Sequence, residues 1–128
     1  MKKVLIDTNI YSLAMRGDKN VTDILKKIDQ IGISAINIGE LFSGFKGGNF
    51  EEKNKTELNL FLDSPRVIVF PIDVETADFY ASILNNLKSK GTPIPTNDIW
   101  IAAVAFQKGF KLFSKDKHFR AIPGLVQV

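Results

Sequence analysis

An α/β domain built round a central, mainly parallel sheet is the fold class this sequence predicts, on three observations. Short β-like runs alternate with helical ones along the chain. The first run, Val4-Leu5-Ile6, is apolar without interruption, as a strand covered on both faces must be. It stops abruptly at Asp7-Thr8-Asn9, a polar triplet suited to a strand end followed by a helix cap.

The elements follow in order. After Asp7 a short helix runs to about Met15 and stops near Arg16-Gly17-Asp18. Thr22 then opens a helix over 23–30, with Ile24, Leu25 and Ile28 on one face. Residues 31–35 form a second strand that contains Gly32, a residue that weakens strands. Ile38, Leu41, Phe42 and Phe45 recur at helical spacing, with Gly47-Gly48 as the stop. A charged amphipathic helix spans 51–62 and ends before Pro65, and Val67–Phe70 is the clearest strand. A long helix over 74–90 turns Ala77, Tyr80, Ala81, Leu84 and Leu87 inward and stops at Gly91. The loop 91–95 holds two prolines and leads into a helix over 98–108, apolar nearly all round and so largely buried. Residues 111–114 make the next strand and 125–128 a last edge strand.

One domain over residues 1–128 suits the length, since 45% of the residues are hydrophobic and can bury a core unaided. No cysteine is present, which excludes disulfides, thiolate metal sites and cysteine nucleophiles, and fits a cytoplasmic location. The apolar start is too short for a signal-peptide core, and no apolar stretch reaches the length of a membrane span. A formal charge of +3 permits a polyanionic partner without demanding one.

Four acids stand out only as a set. Asp7 lies where an apolar strand stops, the edge at which ligands gather in open α/β sheets; alone, it reads as a helix N-cap. Glu40 lies one turn into a helix among apolar neighbours, where the helix dipole would also favour it. Asp98 opens the most apolar helix of the chain, although Asn97 could cap that helix without it. Asp116, between Lys115 and Lys117, reads locally as a solvated turn residue. In a parallel sheet all four could meet at one edge. Four uncompensated carboxylates would repel strongly, so such a cluster makes sense round hard cations, Mg2+ or Mn2+ rather than Zn2+. A bound ion can lower the pKa of water, and a pair can stabilise the attacking and leaving oxygens of a phosphoryl displacement.

The segments Val4–Asn9, Ile36–Leu41, Pro95–Ala103 and Phe113–Phe119, in this order, resemble the signatures of PIN-domain nucleases. The resemblance runs from Val4 to about Leu125. The short length, the approach Gly91-Thr92-Pro93-Ile94-Pro95 and the ending Pro123-Gly124-Leu125 are most similar to VapC-type toxins of toxin–antitoxin pairs. It implies a PIN-like three-layer α/β/α fold, Mg2+ or Mn2+, and endonucleolytic cleavage of structured RNA such as tRNA or rRNA. It also implies a homodimer and a small antitoxin protein as inhibitor. Asp7, Glu40, Asp98 and Asp116 fall on the family's acid positions, and Asn9 and Ser114 on positions that support them. Ser114 stands where threonine is more usual, a departure that keeps the hydroxyl.

The remaining features read as bland. His118, the sole histidine, is a loop residue rather than a general base. Trp100, Phe42, Phe45 and Phe106 are packing residues, and Phe50, Phe61 and Leu62 offer a contact face for a partner. Lys115, Lys117 and Arg120, with Arg16, are candidates for the RNA backbone. A haloacid-dehalogenase-type phosphatase would need a second aspartate where Asn9 stands, and a receiver domain an acidic pair before its first helix. A housekeeping RNA-processing nuclease and a non-cutting RNA- or protein-binding PIN module stay open as alternatives.

Overall fold

A computed structural model describes all residues, Met1–Val128. Four strands form one parallel sheet: β1 (Lys3–Ile6), β2 (Gln30–Ser34), β3 (Val67–Phe70) and β4 (Lys111–Phe113), in the order β3-β2-β1-β4. Two helices fill each crossover. α1 (Thr8–Met15) and α2 (Lys19–Lys26) lead from β1 to β2, and α3 (Ala35–Lys46) and α4 (Glu51–Leu62) lead to β3. α5 (Val74–Lys90) and α6 (Thr96–Lys108) lead to β4, after which a 3-10 turn spans Lys117–Ala121. Val126 and Val128 hydrogen-bond Leu112 of β4, so the tail adds a single parallel bridge at that edge in place of a full strand.

Alternation along the strands builds the three layers. Val4 and Ile6 join Ile31, Ile33 and Phe113 in a core beneath α1 to α4, while Leu5 and Leu112 face the other core with α5 and α6. The unbroken apolar run of β1 is therefore divided between two cores, as expected of an interior parallel strand. α6 contributes six buried residues, Ile99, Ile101, Ala102, Ala103, Val104 and Ala105, so small side chains let it lie close on the sheet. Gly32 holds a place for another residue. A Cβ there would sit 2.5 Å from Cε2 of Phe70, whose ring crosses the strand at that point.

Three expectations need correction. α2 begins at Lys19, because Asp18 accepts a hydrogen bond from the Val21 amide and starts the helix a turn early. α6 begins at Thr96 behind Pro95, whose fixed φ suits a helix start, so neither Asn97 nor Asp98 is its cap. Ala77 and Ala81 of α5 point outward. The Asp73–Thr76 capping box, tied to Gln107 of α6, turns Thr76 inward, and the buried stripe becomes Thr76, Ile83 and Leu87.

Candidate active site

Strand order chooses where the chemistry sits. The chain winds outward from β1 to β2 and β3, then returns to place β4 on β1's other side. β1 and β4 therefore flank a topological switch point, and the crevice beyond their carboxyl ends is where such folds bind ligands. Asp7 is the first residue past β1; Ser114 and Asp116 follow β4.

Asp7 is 5% exposed and held at both oxygens. Oδ1 accepts the Ile10 amide at 2.9 Å, which caps α1, and Oδ2 accepts the Ser114 hydroxyl. The helix-cap role and the site role thus coexist in one carboxylate. Ser114 Oγ also accepts the Asp116 amide at 2.9 Å and so ties the two acids together. Burial pushes the Asp7 carboxyl above its ordinary range; the Ser114 and Ile10 hydrogen bonds oppose this, and the charges of Asp116 and Glu40 add to it.

Glu40 is the sixth residue of α3, past the turn where the helix dipole would favour it. A polar chain holds it instead. Ser34 and Asn37 are fully buried, and the Ser34 hydroxyl donates to Asn37 Oδ1 at 2.8 Å. Asn37 Nδ2 donates to Thr8 Oγ1 and to Glu40 Oε1, and Thr8 donates to Glu40 Oε1 at 2.7 Å. Asn97 of α6 reaches Glu40 Oε2 at 3.3 Å. α3 is thereby locked to the loop after β1 and to the start of α6.

Asp98, in the first turn of α6, is also raised, by burial first, with the Asp116 and Glu40 charges adding and His118 opposing. Asp116 accepts the His118 amide at 2.9 Å and caps the final 3-10 turn. That turn folds the imidazole back: His118 Nδ1 lies 2.9 Å from Asp98 Oδ2 and 3.1 Å from Asp116 Oδ1. His118 is therefore part of the site and not a bystanding loop residue.

All four acids predicted from sequence converge, since Asp7 and Asp98 each feel the charges of both Glu40 and Asp116. Ser114 lies between Asp7 and Asp116 and hydrogen-bonds both. Asn9 is exposed on α1 and makes no side-chain hydrogen bond, and the neighbouring Thr8 holds Glu40. Lys115, Lys117 and Arg120 are exposed beside Asp116, whereas Arg16 caps the far end of α1. Thr8, Asn37, Asn97 and His118 were missed. Asn37 had a signal, lying three residues before Glu40 and so on the same helix face.

No lysine or arginine forms an ion pair with any of the four acids. A buried carboxylate among like charges, with oxygen lone pairs still free, suits a hard divalent cation, and the donor set fits Mg2+ or Mn2+. A groove of about 500 Å3 lined by Ala35, Gly39, Ser43 and Asn97 opens beside Glu40. Another recess, about 420 Å3, carries Lys2, Lys3, Lys27 and Lys111 at the opposite sheet edge and takes no part in this site.

A parallel sheet that gathers carboxylates at its switch point defines a class of α/β phosphodiester-cleaving domain. The family model described as PIN domain matches residues 4–125, and the chain belongs to the PIN-domain family, in its VapC-type branch. Ribonuclease VapC2 of Rickettsia felis is 31% identical over 127 residues, covering 95% of this chain and 93% of the relative. The DNA-bound VapBC structure from Salmonella typhimurium superposes with a TM-score of 0.89 at 25% identity, covering 100% and 98% of the two chains. The VapBC2 structure from Rickettsia felis, bound to a promoter DNA fragment, gives 0.87 at 26% identity, covering 98% and 97%.

Proposed function

We propose that this protein is the ribonuclease toxin of a toxin–antitoxin pair, a divalent-metal-dependent endonuclease of structured RNA such as tRNA or rRNA, acting in the cytoplasm. The observation that carries the reading is the convergence of Asp7, Glu40, Asp98 and Asp116 with no lysine or arginine paired to any of them. Asp7, Asp98 and Asp116 would hold Mg2+ or Mn2+ directly or through water, with Glu40 holding a water or a second ion. A bound ion supplies charge neutralisation at the phosphate and acidifies water for attack.

The chain's own residues do the positioning. The Ile10 amide and the Ser114 hydroxyl hold Asp7 in one rotamer, so its remaining lone pairs face one direction. Thr8, Asn37 and Asn97 aim Glu40 at the same point from the other side. Pre-set ligands of this kind reduce the reorganisation needed when substrate arrives. Water adds to phosphorus in line, the bond from phosphorus to O3′ breaks, and the proton passes to O3′, leaving a 5′-phosphate and a 3′-hydroxyl. Exposed Lys115, Lys117 and Arg120 beside Asp116 are proposed to meet flanking phosphates, and Arg16, at the far end of α1, a phosphate further along the RNA.

Solved relatives include VapBC complexes, which supports a small antitoxin as partner; the homodimer is proposed on the family resemblance. Of the proposed contact residues only Phe50 is fully available, at 66% exposed, while Leu62 is half-buried against the core under α1 to α4. Phe61 instead packs edge-on against Tyr11 at 5.1 Å. The decisive experiment is cleavage of a folded RNA with and without Mg2+, wild type beside Asp7→Asn. Metal-dependent cutting by wild type alone is expected; equal cutting by both defeats the reading. Monomeric sedimentation without binding to a cognate antitoxin would sink the association part.

A further inference from the structure

His118 was set aside on sequence and has no place in the four-acid scheme, yet its ring occupies one corner of the site. Its Nδ1 lies 2.9 Å from Asp98 Oδ2 and 3.1 Å from Asp116 Oδ1. One atom from each of the three residues lies within 4.8 Å of the others. Ions of this class bind oxygen and imidazole nitrogen at about 2.0–2.2 Å, so neighbouring ligands on an octahedral ion stand about 3 Å apart. Both His118 separations match that edge. One ion above the Asp98–Asp116–His118 triangle lies within reach of all three.

The backbone that carries the ring is anchored on both sides. Its backbone amide is held by Asp116, and the next residue, Phe119, is 1% exposed in the core beneath α5 and α6. The outer side of the ring stays open, with the side chain 50% exposed, which leaves solvent to complete a coordination shell. Without an ion Nδ1–H can donate to Asp98; with one bound, a neutral imidazole carrying its hydrogen on Nε2 would present the Nδ1 lone pair inward.

We propose that His118 is a direct metal ligand through Nδ1, beside Asp98 and Asp116, and that this nitrogen biases the site toward transition ions of the Mn2+ kind over Mg2+. Chemistry supports the direction. Carboxylate and water suit both Mg2+ and Mn2+, but an imidazole nitrogen favours first-row transition ions, of which Mn2+ is the weakest binder, over Mg2+. The inference rests on the metal-nuclease reading above and refines which ion the site takes.

The test is binding, separate from cleavage. Mn2+ is titrated into the full chain and followed by electron paramagnetic resonance, with pulsed detection of 14N coupling, and Mg2+ is added as competitor. Wild type, His118→Gln, His118→Ala and Asp98→Asn are compared, with circular dichroism as the folding control. We expect nitrogen coupling in wild type and its loss in both His118 variants. Mn2+ affinity should fall by about tenfold or more, the scale of disturbing a metal's immediate surroundings, and Mg2+ affinity by less. Mn2+ bound to wild type without nitrogen coupling, at a Mn2+ to Mg2+ preference the His118 variants share, overturns the proposal while leaving the four-acid site intact. No Mn2+ binding by wild type overturns both. The wild-type spectrum alone decides the point should a variant fold poorly.

Discussion

Replacing Ser114 by alanine isolates the hydrogen bond that reconciles a buried Asp7 with its charge. Ser114 Oγ makes two such bonds, donating to Asp7 Oδ2 and accepting from the Asp116 amide. The first goes to a carboxylate that is 5% exposed, and hydrogen bonds to charged groups are worth about 1.5–3 kcal/mol. The second is on a half-buried residue, where water can replace the acceptor, so it adds little. Near pH 7 the loss should be about 2 kcal/mol, roughly 6–10 °C in melting temperature for a chain of this size. The pH dependence has a definite sign. Ser114 is the largest influence lowering an Asp7 pKa that burial raises, so the variant's native pKa stands higher than wild type's against the same unfolded value. A raised native pKa gives stability that is present below the unfolded pKa and lost as pH rises through the native one. The deficit of Ser114→Ala should therefore shrink to about 1 kcal/mol or less at about pH 3, below the unfolded carboxyl pKa, where Asp7 is protonated in both states and the lost bond is a neutral one. Thermal melts of the metal-free protein at the two pH values measure this, and Ser114→Thr, which keeps the hydroxyl, should melt like wild type. A deficit of the same size at both pH values would refute the reasoning, because it would locate Ser114's role outside the Asp7 charge.

Asp98→Asn should fold and melt at least as well as wild type, since Pro95 already starts α6, while losing at least about 10–100-fold in RNA cleavage; undiminished cleavage by the folded variant removes Asp98 from the site. Gly32→Ala should lower stability by about 1–3 kcal/mol, the cost of overpacking, because the new Cβ meets the Phe70 ring at 2.5 Å; an unchanged urea midpoint would show that the ring gives way freely. Asp7 and Asp98 are both raised, so their contribution to the metal-free protein is full below the unfolded carboxyl pKa and disappears as pH climbs through the raised values. Asp7→Asn, which keeps the Oδ1 cap, should accordingly gain on wild type as pH rises to neutrality, and identical pH–stability curves would contradict this. Mg2+ or Mn2+ at about 100 times its Kd should raise wild-type stability by about 2.7 kcal/mol at neutral pH and do far less for Asp7→Asn; calorimetric melts with and without a chelator distinguish the two.

Local physics was legible in the residues. Val4-Leu5-Ile6 announced an interior strand because only a strand with two covered faces carries no polar alternation. The left-handed stop at Gly91 and the apolar girth of α6 followed from side-chain size and glycine's tolerance of positive φ, whereas the α3 stripe is buried only at Leu41, with Phe42 exposed and polar Asn37 turned inward. The four acids were legible because each stands just past a strand or early in a helix, and those ends fall together in any parallel sheet. What the sequence could not decide was everything set by contacts between distant residues. The phase of α5 depends on a hydrogen bond from Thr76 to Gln107, and no local period records it. Ser114 and Asp7 are 107 positions apart and meet only because β4 returns to β1's free edge. His118 looked like a loop residue because its meaning lies in Asp98, twenty positions earlier, across a turn that Asp116 caps and buried Phe119 anchors. Sequence thus determined which elements form and which residues could do chemistry. Strand order and side-chain packing decided which partners each of them met, because burial and hydrogen bonding act through space and not along the chain.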